Sequence, residues 1–441
     1  MNWESLLSSG RLGQKAIANT APSRSAFEQD YDRIIFSHPF RRLQDKTQVH
    51  PLPEHDFVHT RLTHSLEVSS VGRSLGKRVG EVLIQRHPEL SKNYTLFDFG
   101  AIVAAASLAH DLGNPPFGHA GEDAISDFFI THSLGQSFAD KVSKSEWEEL
   151  MKFEGNAQGF RILNKKEYGL KLTYATLGAF TKYPCPALFE ERNKSKKSQK
   201  KFGYFQSERK VFTEVADELE LQKVATDVWT RHPLTFLVEA ADDICYSIID
   251  LEDGCRLGLV SFEDTIELLA PILKEKLNRE KLSGPRGLNE KLGVLRAMTI
   301  GILIDACTQV FLDHENKILD GSFDEALTDL CEFKEALKKI SQVSVKKIYQ
   351  ARNVVEIEAS GHVVLPGLLE EFTQTGINLL ANTLSRKHAN LSMLLPVETV
   401  HDINQSPGDH YLMLRHIIDF ISGLTDRHAL SLYRKIKGIS L

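Results

Sequence analysis

Apolar residues recur every three to four positions along much of the chain, a spacing typical of helices that bury one face. From Leu62 onward this pattern predicts an amphipathic helix with His64 near its start. We expect the helix to end by His87, because the residue before a proline resists the α conformation. The apolar positions that define it are Leu66, Val71, Leu75, Val79, Val82 and Leu83.

Two further helices flank a loop rich in glycine and proline. The first is rich in alanine and is predicted from about Thr95 to Asp111, because Gly113 and the prolines after it stop a helix. The second is predicted to begin near Gly121–Glu122. His110 and its neighbouring aspartate are therefore expected at the C-terminal end of a buried helix.

Helical patterning resumes after Pro233 and continues, with breaks, to the end of the chain. Asp242, Tyr246 and Asp250 fall at i, i+4 and i+8, so they share one face of a helix. Residues 354–357 could form a short strand, but sustained alternation of apolar and polar residues is absent. The predicted fold class is all-α, a multi-helix fold with at most minor short strands.

Two segments depart from the helical pattern. Residues 1 to about 30 are polar and mixed, and we interpret them as an arm laid over the body or over a partner subunit. Residues 193–207 are rich in Lys, Ser and Gln, which predicts a loop. Its cations could neutralise a triphosphate or bind single-stranded nucleic acid, and a solvated loop is an equally open interpretation of its first half. They are Arg192, Lys194, Lys196, Lys197, Lys200 and Lys201.

The composition is that of a soluble globular protein, with 42% hydrophobic and 25% charged residues. A formal charge of -6 argues against a protein coated in nucleic acid. The five cysteines are scattered without a C-x-x-C pair, which predicts reduced, packed thiols. The N-terminus lacks a basic start followed by an apolar core, and no apolar run reaches the ~18 residues of a membrane helix. We therefore expect a cytoplasmic enzyme without a membrane partner.

Histidine and aspartate residues from three separated segments can form one metal site. Imidazole and carboxylate suit borderline and hard divalent cations, and two of each leave room for water and a substrate oxygen. A bound cation lowers the pKa of its water and neutralises charge on a phosphoryl oxygen. Each residue alone has an ordinary structural interpretation, but together they predict metal-dependent hydrolysis of a phosphate ester. The candidate ligands are His64, His110, Asp111 and Asp242.

Three more residues are predicted to act on the substrate. His119 follows a rigid proline turn that could hold its imidazole beside the metal, and Glu122 could fix its tautomer. Arg61 lies one helical turn before His64, where its guanidinium could contact a phosphate oxygen. A loop histidine and a surface arginine are the structural alternatives. Neither a P-loop nor a G-x-S-x-G nucleophile elbow is present.

These segments resemble the HD-domain superfamily, and specifically the bacterial deoxyguanosine triphosphate triphosphohydrolases and their dNTPase-like relatives. The resemblance covers nearly the whole chain. It implies a single helical body over residues 1–441, with a metal-binding HD core at approximately 60–255 and a C-terminal part at 256–441 that completes the substrate pocket and subunit contacts. The matching segments are Phe40–Val49, Arg61–Val68, His110–His119, Phe153–Gln158, Thr181–Pro184, Lys201–Tyr204, Glu239–Tyr246 and Ile421–Asp426.

The resemblance implies hydrolysis of dNTPs, with dGTP first, at the α-phosphorus to give a deoxynucleoside and inorganic triphosphate. It places the four candidate ligands on the metal and His119 with Glu122 at the reacting phosphorus. It also implies that Arg61 contacts the α-phosphate and that Tyr246 packs against the deoxyribose. The other substrate-binding residues that it implies are Gln48 and Asp250, at the 3'-hydroxyl, and Lys201 and Tyr204.

Two positions depart from the family's pattern, because Asn114 stands where some relatives carry histidine and Cys245 stands where alanine is common. Mn²⁺ or Mg²⁺ is the expected cofactor, with Fe, Ni, Co or Zn as alternatives. The resemblance implies a homo-oligomer, and single-stranded DNA or a dNTP effector is an open partner. Two functions compete with the first: another HD-type phosphohydrolase acting on a phosphodiester or guanosine tetraphosphate, and a nucleotide-sensing or single-stranded-nucleic-acid-binding protein with secondary hydrolysis.

Overall fold

The computed structural model describes residues 1–14, 24–49, 59–285 and 287–439. Within these ranges the only strands are Lys223–Ala225 and Val228–Trp229, which pair antiparallel. All other regular elements there are helical, which confirms the all-α fold class.

The first half of the chain carries the helices that surround the candidate site. In chain order they are α1 (Trp3–Leu6), α2 (Ala26–Ile35), α3 (His38–Arg42), α4 (Arg61–Arg86), α5 (Leu96–Ala109), α6 (Gly118–Thr131), α7 (Ser133–Gln136), α8 (Lys144–Leu150), α9 (Gly155–Asn164), α10 (Tyr174–Phe180), α11 (Arg209–Glu218) and α12 (Thr235–Arg256). Single turns of 3-10 helix connect several of them, at Leu43–Asp45, Pro88–Lys92, Lys166–Tyr168, Lys197–Gln199 and Gln206–Glu208.

The second half is equally helical. Its helices are α13 (Phe262–Leu273), α14 (Arg279–Ser283), α15 (Leu288–Asp313), α16 (Glu315–Leu319), α17 (Leu327–Leu330), α18 (Lys334–Val343), α19 (Arg352–Leu380), α20 (Arg386–Ser392), α21 (Val397–Gln405), α22 (His410–Ser422) and α23 (Asp426–Ile436). A 3-10 turn lies at Lys274–Lys276, and a π-helical segment, Ser344–Tyr349, joins α18 to α19.

The predicted helices around the motifs are present, with two corrections. Helix α6 begins at Gly118 rather than near Gly121, because Phe117 adopts a left-handed conformation with φ 65° that starts the helix directly after the prolines. The strand considered for residues 354–357 is wrong, since these residues lie inside the long helix α19. Helix α4 ends at Arg86, as the proline rule requires.

The predicted N-terminal arm lies on the body of the protein in its first part. Trp3, Leu6 and Leu7 are buried, and the amino group of Met1 donates to the carbonyl of Leu319 at 2.8 Å. Residues 15–23, the middle of the predicted arm, lie outside the described residues. Its end is the start of helix α2, which Ser25 and Glu28 close with a reciprocal capping box.

Two hydrophobic cores organise the molecule. The first core gathers α4, α5, α10, α12 and α15, and includes Leu75, Ile102 and Ile244. The second gathers α6, α19, α22 and α23, and includes Ile125 and Phe372. The loop from His110 to Gly118 passes from the first core to the second. A site at this loop therefore draws on both cores.

Helix α15 is long and apolar enough to cross a membrane, with a hydropathy of 1.5 in its most apolar stretch. One face of the helix nevertheless packs into the first core through Leu295, Leu303 and Phe311. A core helix of a soluble protein meets the same two criteria, so length and hydropathy alone are weak grounds for a membrane span.

Candidate metal centre and substrate cavity

The four predicted ligands lie together, although they come from three elements. His64 is on α4, His110 and Asp111 follow α5, and Asp242 is on α12. Nε2 of His64 is 3.1 Å from Oδ1 of Asp242, and Nε2 of His110 is 3.5 Å from the same oxygen. Oδ1 of Asp111 is 3.5 Å from Nε2 of His110. The structure therefore brings all four side chains to one point.

This donor set fits a divalent cation. One ligand atom from each of His64, His110 and Asp111 lies within 4.8 Å of the others. Nδ1 of His110 is 2.7 Å from the carbonyl oxygen of Ser107, which leaves its Nε2 facing the carboxylates. Burial by itself lowers the pKa of His110, but Asp111 and Asp242 outweigh burial and raise that pKa to about 9. The cluster thus favours positive charge at its centre.

Close packing of α4 on α5 brings the two histidines together. A Cβ added at Gly76 would lie 2.6 Å from the carbonyl oxygen of Phe99, and one added at Gly72 would lie 2.5 Å from Oγ of Ser107. The surface of α5 that faces these glycines comes from Phe99, Gly100, Val103 and Ser107. The ring centroids of His64 and His110 are consequently 5.4 Å apart.

Arg61 and His119 lie beside the ligand cluster. Arg61 is buried and donates from Nη1 to Oδ2 of Asp111 at 2.7 Å. Gly118, in a left-handed conformation with φ 59°, leaves room for the guanidinium, since a Cβ there would be 3.0 Å from Nη2 of Arg61. The next residue is His119, whose pKa is lowered by partial burial and by the charges of Arg61 and Lys201.

Glu122 lies near Arg61 and His119, but its carboxylate does not contact the imidazole of His119 as predicted. Its Oε1 accepts a hydrogen bond from the amide of Gly155 at 2.7 Å, and its Oε2 is 3.5 Å from Nζ of Lys201. Lys201 also pairs with Glu154 at 2.9 Å. No hydrogen bond joins Glu122 to His119 in the described part of the chain. Glu122 therefore holds Lys201 rather than the tautomer of the histidine.

The ligand cluster opens into a cavity of about 270 Å³. Gln48, Arg61, His119, Glu122, Lys201 and Tyr246 all line it, as the sequence predicted for substrate-contacting groups. It also has lining residues to which the sequence analysis gave no role, namely Asn156, Phe180, Lys182, Tyr183 and Glu239. Three of these belong to the segments Phe153–Gln158 and Thr181–Pro184. Their place in segments that match the family was the sequence feature that could have identified them as cavity residues. Nζ of Lys182 is held 3.2 Å from Oε1 of Glu239.

A second cavity of about 210 Å³ adjoins the first and shares Gln48, Arg61, His119 and Tyr246 with it. Its far wall comes from the C-terminal half, through Tyr349, Val354, Ile357 and Glu358. Tyr349 had no role in the sequence analysis. It stands with its ring centroid 5.4 Å from that of Tyr246, and its hydroxyl donates to Asp250 at 2.7 Å. Asp250 is buried behind Tyr349, and burial raises its pKa to about 7.

Two predicted substrate-binding residues line neither cavity, namely Asp250, which lies behind Tyr349, and Tyr204. The side chain of Tyr204 is completely buried and stacks on Phe212, with ring centroids 4.6 Å apart. Its hydroxyl donates to the carbonyl oxygen of Asp227. Tyr204 is therefore part of the hydrophobic core, and the prediction that it contacts substrate is corrected.

The loop over residues 193–207 and the cysteines agree with their predictions. Two single 3-10 turns are the only regular elements in that loop among the described residues, and of its cations Lys201 lines the main cavity. All five cysteines, Cys185, Cys245, Cys255, Cys307 and Cys331, are free and buried.

Residues 61–158 match the HD domain family, and residues 331–435 match the phosphohydrolase-associated domain. The chain is 43% identical to a deoxyguanosinetriphosphate triphosphohydrolase-like protein of Synechocystis sp., over 100% of both proteins. A protein of the same description from Pseudomonas aeruginosa is 40% identical over 100% of this chain and 99% of its own length. The deoxyguanosinetriphosphate triphosphohydrolase of Salmonella paratyphi A is 31% identical over 94% of each protein.

These likenesses extend over the same segments that build the two cavities. Three of the four ligands fall within the HD match, and the far wall of the second cavity lies within or close to the phosphohydrolase-associated match. The chain belongs to the deoxyguanosinetriphosphate triphosphohydrolase-like family of HD-domain hydrolases.

Proposed function

We propose that this protein is a metal-dependent dNTP triphosphohydrolase that acts first on dGTP. The observation that carries the proposal is the placement of a four-ligand cation site against Arg61 and His119, at the junction of two cavities of different character. The first cavity carries cations for phosphates, and the second carries aromatic and apolar walls for a nucleoside. A nucleoside triphosphate is a ligand with both parts, and full-length relatives bear the matching name.

In the proposed reaction, water attacks the α-phosphorus and the bond between that phosphorus and the deoxynucleoside 5'-oxygen breaks. The water oxygen stays on the inorganic triphosphate, and the 5'-oxygen takes up a proton and leaves as the hydroxyl of the deoxynucleoside. A divalent cation, Mn²⁺ or Mg²⁺, held by His64, His110, Asp111 and Asp242 would supply Lewis acidity at the phosphate. Arg61 would bind an α-phosphate oxygen with its guanidinium. His119 would exchange a proton with the water or with the 5'-oxygen as general acid or base.

The remaining phosphates would lie along Lys182 and Lys201. Both ammonium groups reach the main cavity, and each is held by carboxylates, at Glu239 for Lys182 and at Glu122 and Glu154 for Lys201. Such pairing restrains a lysine side chain before substrate arrives. The ammonium groups of both lysines would then offset part of the negative charge of a bound triphosphate.

The deoxyribose would pack between Tyr246 and Gln48 at the boundary of the two cavities. Tyr246 would crowd a 2'-hydroxyl and so favour deoxynucleotides. The pair Tyr349 and Asp250 would then lie at the 3'-hydroxyl, with Tyr349 between the buried carboxylate and the sugar.

The choice of dGTP is supported by Glu358 at the far wall of the second cavity. Guanine presents two adjacent N–H donors on its pairing edge, which a carboxylate accepts in a two-bond arrangement. Glu358 is exposed in the cavity, and neither a hydrogen bond nor an ion pair engages it among the described residues. Adenine offers its amino group in a different pattern and would leave one carboxylate oxygen without a donor.

The experiment is to incubate metal-loaded protein with each dNTP and with GTP, and to identify the products by chromatography and phosphorus NMR. Deoxynucleoside with inorganic triphosphate supports the proposal. Monophosphate with pyrophosphate, or hydrolysis of a phosphodiester or guanosine tetraphosphate instead, contradicts it, as does tight dNTP binding without turnover. His64→Ala, Asp242→Ala and His119→Ala should each abolish turnover, whereas Asp123→Ala, an exposed carboxylate on α6, should not.

We also propose that residues 256–441 complete the pocket and form the contacts of a homo-oligomer in the cytoplasm. The walls that Tyr349, Val354, Ile357 and Glu358 contribute support the first part. The mass in solution, measured by light scattering with and without dNTP or single-stranded DNA, tests the assembly and both candidate effectors.

A further inference from the structure

The C-terminal segment Ile421–Asp426 matches the family, yet none of its residues lines either cavity. It contains the end of α22, a short loop and the start of α23. Asp426 in this segment is only 2% exposed, which is unusual for a carboxylate. A buried charge of this kind is retained only where hydrogen bonds compensate for lost hydration.

Three donors surround the carboxylate of Asp426. Oδ1 accepts a hydrogen bond from the amide of Phe117 at 3.1 Å. Oδ2 accepts from the amide of Thr47 at 2.9 Å and from the hydroxyl of the same threonine. One side chain thus joins two chain segments that are distant in sequence.

Each of the two segments lies next to a residue that is proposed to act on the substrate. Phe117 is the left-handed residue that starts α6, and His119 is two residues further on. Thr47 precedes Gln48 and forms an isolated antiparallel β-bridge with Thr60. Thr60 is the N-cap of α4 and immediately precedes Arg61. The carboxylate of Asp426 therefore ties the start of α4 to the start of α6.

Further hydrogen bonds connect the same region, which we call the joint: Asp426 and the segments around Thr47 and Phe117 that it contacts. The ammonium group of Lys46 is buried and donates to the carbonyl oxygens of Asn114 at 2.6 Å and Ser422 at 2.8 Å. The side-chain amide of Asn114 in turn donates to Oδ1 of Asp111 at 2.5 Å. Arg42 adds a hydrogen bond to the carbonyl oxygen of Gly423 at 3.0 Å.

The joint lies where the two hydrophobic cores meet. The four metal ligands stand on elements of the first core, and His119 stands on a helix of the second. Apolar packing between helices tolerates small sliding movements, whereas three hydrogen bonds to one carboxylate restrict both distance and direction. A shift of about 1 Å between catalytic groups costs on the order of 100-fold in rate.

We propose that Asp426 is a positioning residue that holds His119 in register with Arg61 and the cation site, and that Lys46 supports it. The inference rests on the proposed function, because it gives Asp426 a part in the same reaction. Asp426 touches neither substrate nor cation in this assignment and acts through Thr47 and Phe117.

The test is Asp426→Asn beside a matched control, Asp30→Asn. Asp30 is also fully buried and accepts hydrogen bonds from the amide and hydroxyl of one threonine, Thr173, at 2.9 Å and 2.6 Å. Both changes replace an acceptor by an amide and destabilise the fold, but only Asp426 contacts the segments that carry catalytic groups. Rates are expressed per folded molecule, and Mn²⁺ binding is measured by calorimetry.

We expect Asp426→Asn to lower kcat about 10- to 100-fold while Mn²⁺ affinity and the KM for dGTP change by no more than about threefold. Asp30→Asn should keep kcat within about twofold of the wild type. Thr47→Val should cause a smaller loss, and adding it to Asp426→Asn should cause no further loss, because the two side chains act through one contact. Equal kcat values for Asp426→Asn and Asp30→Asn would overturn the inference.

Amide hydrogen exchange separates this inference from the proposed function. The amide of Phe117 should be protected in the wild type and should exchange faster in Asp426→Asn, with the Asp30→Asn protein unchanged there. If the wild type hydrolyses no dNTP, the proposed function fails. Exchange at Phe117 then tests separately whether Asp426 holds the start of α6 in place. Unchanged protection of Phe117 in Asp426→Asn would overturn it.

Discussion

Lys201 is one of the charged residues that act on His119. Desolvation, the charge of Arg61 and the charge of Lys201, in that order, lower the pKa of His119 from its ordinary value of 6.5. A nearby cation disfavours protonation of an imidazole, so removal of the cation should raise this pKa. Whether His119 donates or accepts the proton, one limb of the pH–rate profile reports its titration.

We expect Lys201→Met to move the His119 titration to higher pH, as measured by histidine NMR and by the pH dependence of kcat/KM. The neighbouring Lys200→Met serves as the control, because Lys200 is exposed and lies outside both cavities. A titration that stays in place in Lys201→Met, or moves equally in both variants, contradicts this electrostatic account.

Glu358 makes base selectivity testable at a single position. Loss of a hydrogen bond to a charged acceptor costs about 1.5–3 kcal/mol, so Glu358→Ala should lower kcat/KM for dGTP roughly 10- to 100-fold. The value for dATP should change little. Glu356→Ala, on the same helix but paired with Arg352, should preserve the ratio of dGTP to dATP. An equal loss for both nucleotides would show that Glu358 does not read the base.

Residue types and their spacing were sufficient to predict that His64, His110, Asp111 and Asp242 lie together, because these residues carry recognisable chemistry in recognisable motifs. They were insufficient for Tyr204, which shares a motif with Lys201 but points into the core. Tyr349 was also missed, since a lone tyrosine before a helix carries no pattern. The direction of a side chain depends on tertiary packing, which spacing does not encode.

At the scale of elements, the packing of α4 on α5 determines how close the two histidines lie. Gly76→Ala would place a methyl group against the backbone of Phe99, and the helices must then separate. We expect a loss of about 1–3 kcal/mol in the free energy of unfolding, measured by urea denaturation, and weaker Mn²⁺ binding.

Gly301→Ala on α15 provides the contrast for this substitution. Nothing lies within 4 Å of a Cβ at Gly301, so alanine there should stabilise the helix by up to about 1 kcal/mol. If both variants showed the same stability, helix propensity rather than the contact between α4 and α5 would explain the result.

Helices with strong periodicity were predicted well, and their boundaries were predicted where proline or glycine marked them. Helix α4 is the clearest case, since Thr60 caps one end and Pro88 limits the other. The start of α6 was misplaced because a left-handed Phe117 is not expected of a bulky residue. Residues 354–357 are rich in valine and isoleucine, and the surrounding helix overrides their preference for strands.

At the scale of the whole molecule, the cation should link several elements and stabilise the fold. A ligand at 100 times its Kd adds about 2.7 kcal/mol if it binds only the folded state. We expect Mn²⁺ to raise the Tm of chelator-treated protein, measured by calorimetry. Asp242→Ala should abolish the rise, whereas Asp243→Asn, whose carboxylate accepts from Thr328, should retain it. A rise that persists in Asp242→Ala would place the cation elsewhere.

The contact between Thr47 and Asp426 spans 379 positions of the chain. At synthesis rates of about 5–20 residues per second, the two halves of this contact leave the ribosome tens of seconds apart. A nascent chain that has already folded its first core therefore carries the cation ligands without a correctly placed His119. If the protein is the hydrolase proposed above, a chain still being synthesised would be inactive on nucleotides until translation has passed Asp426.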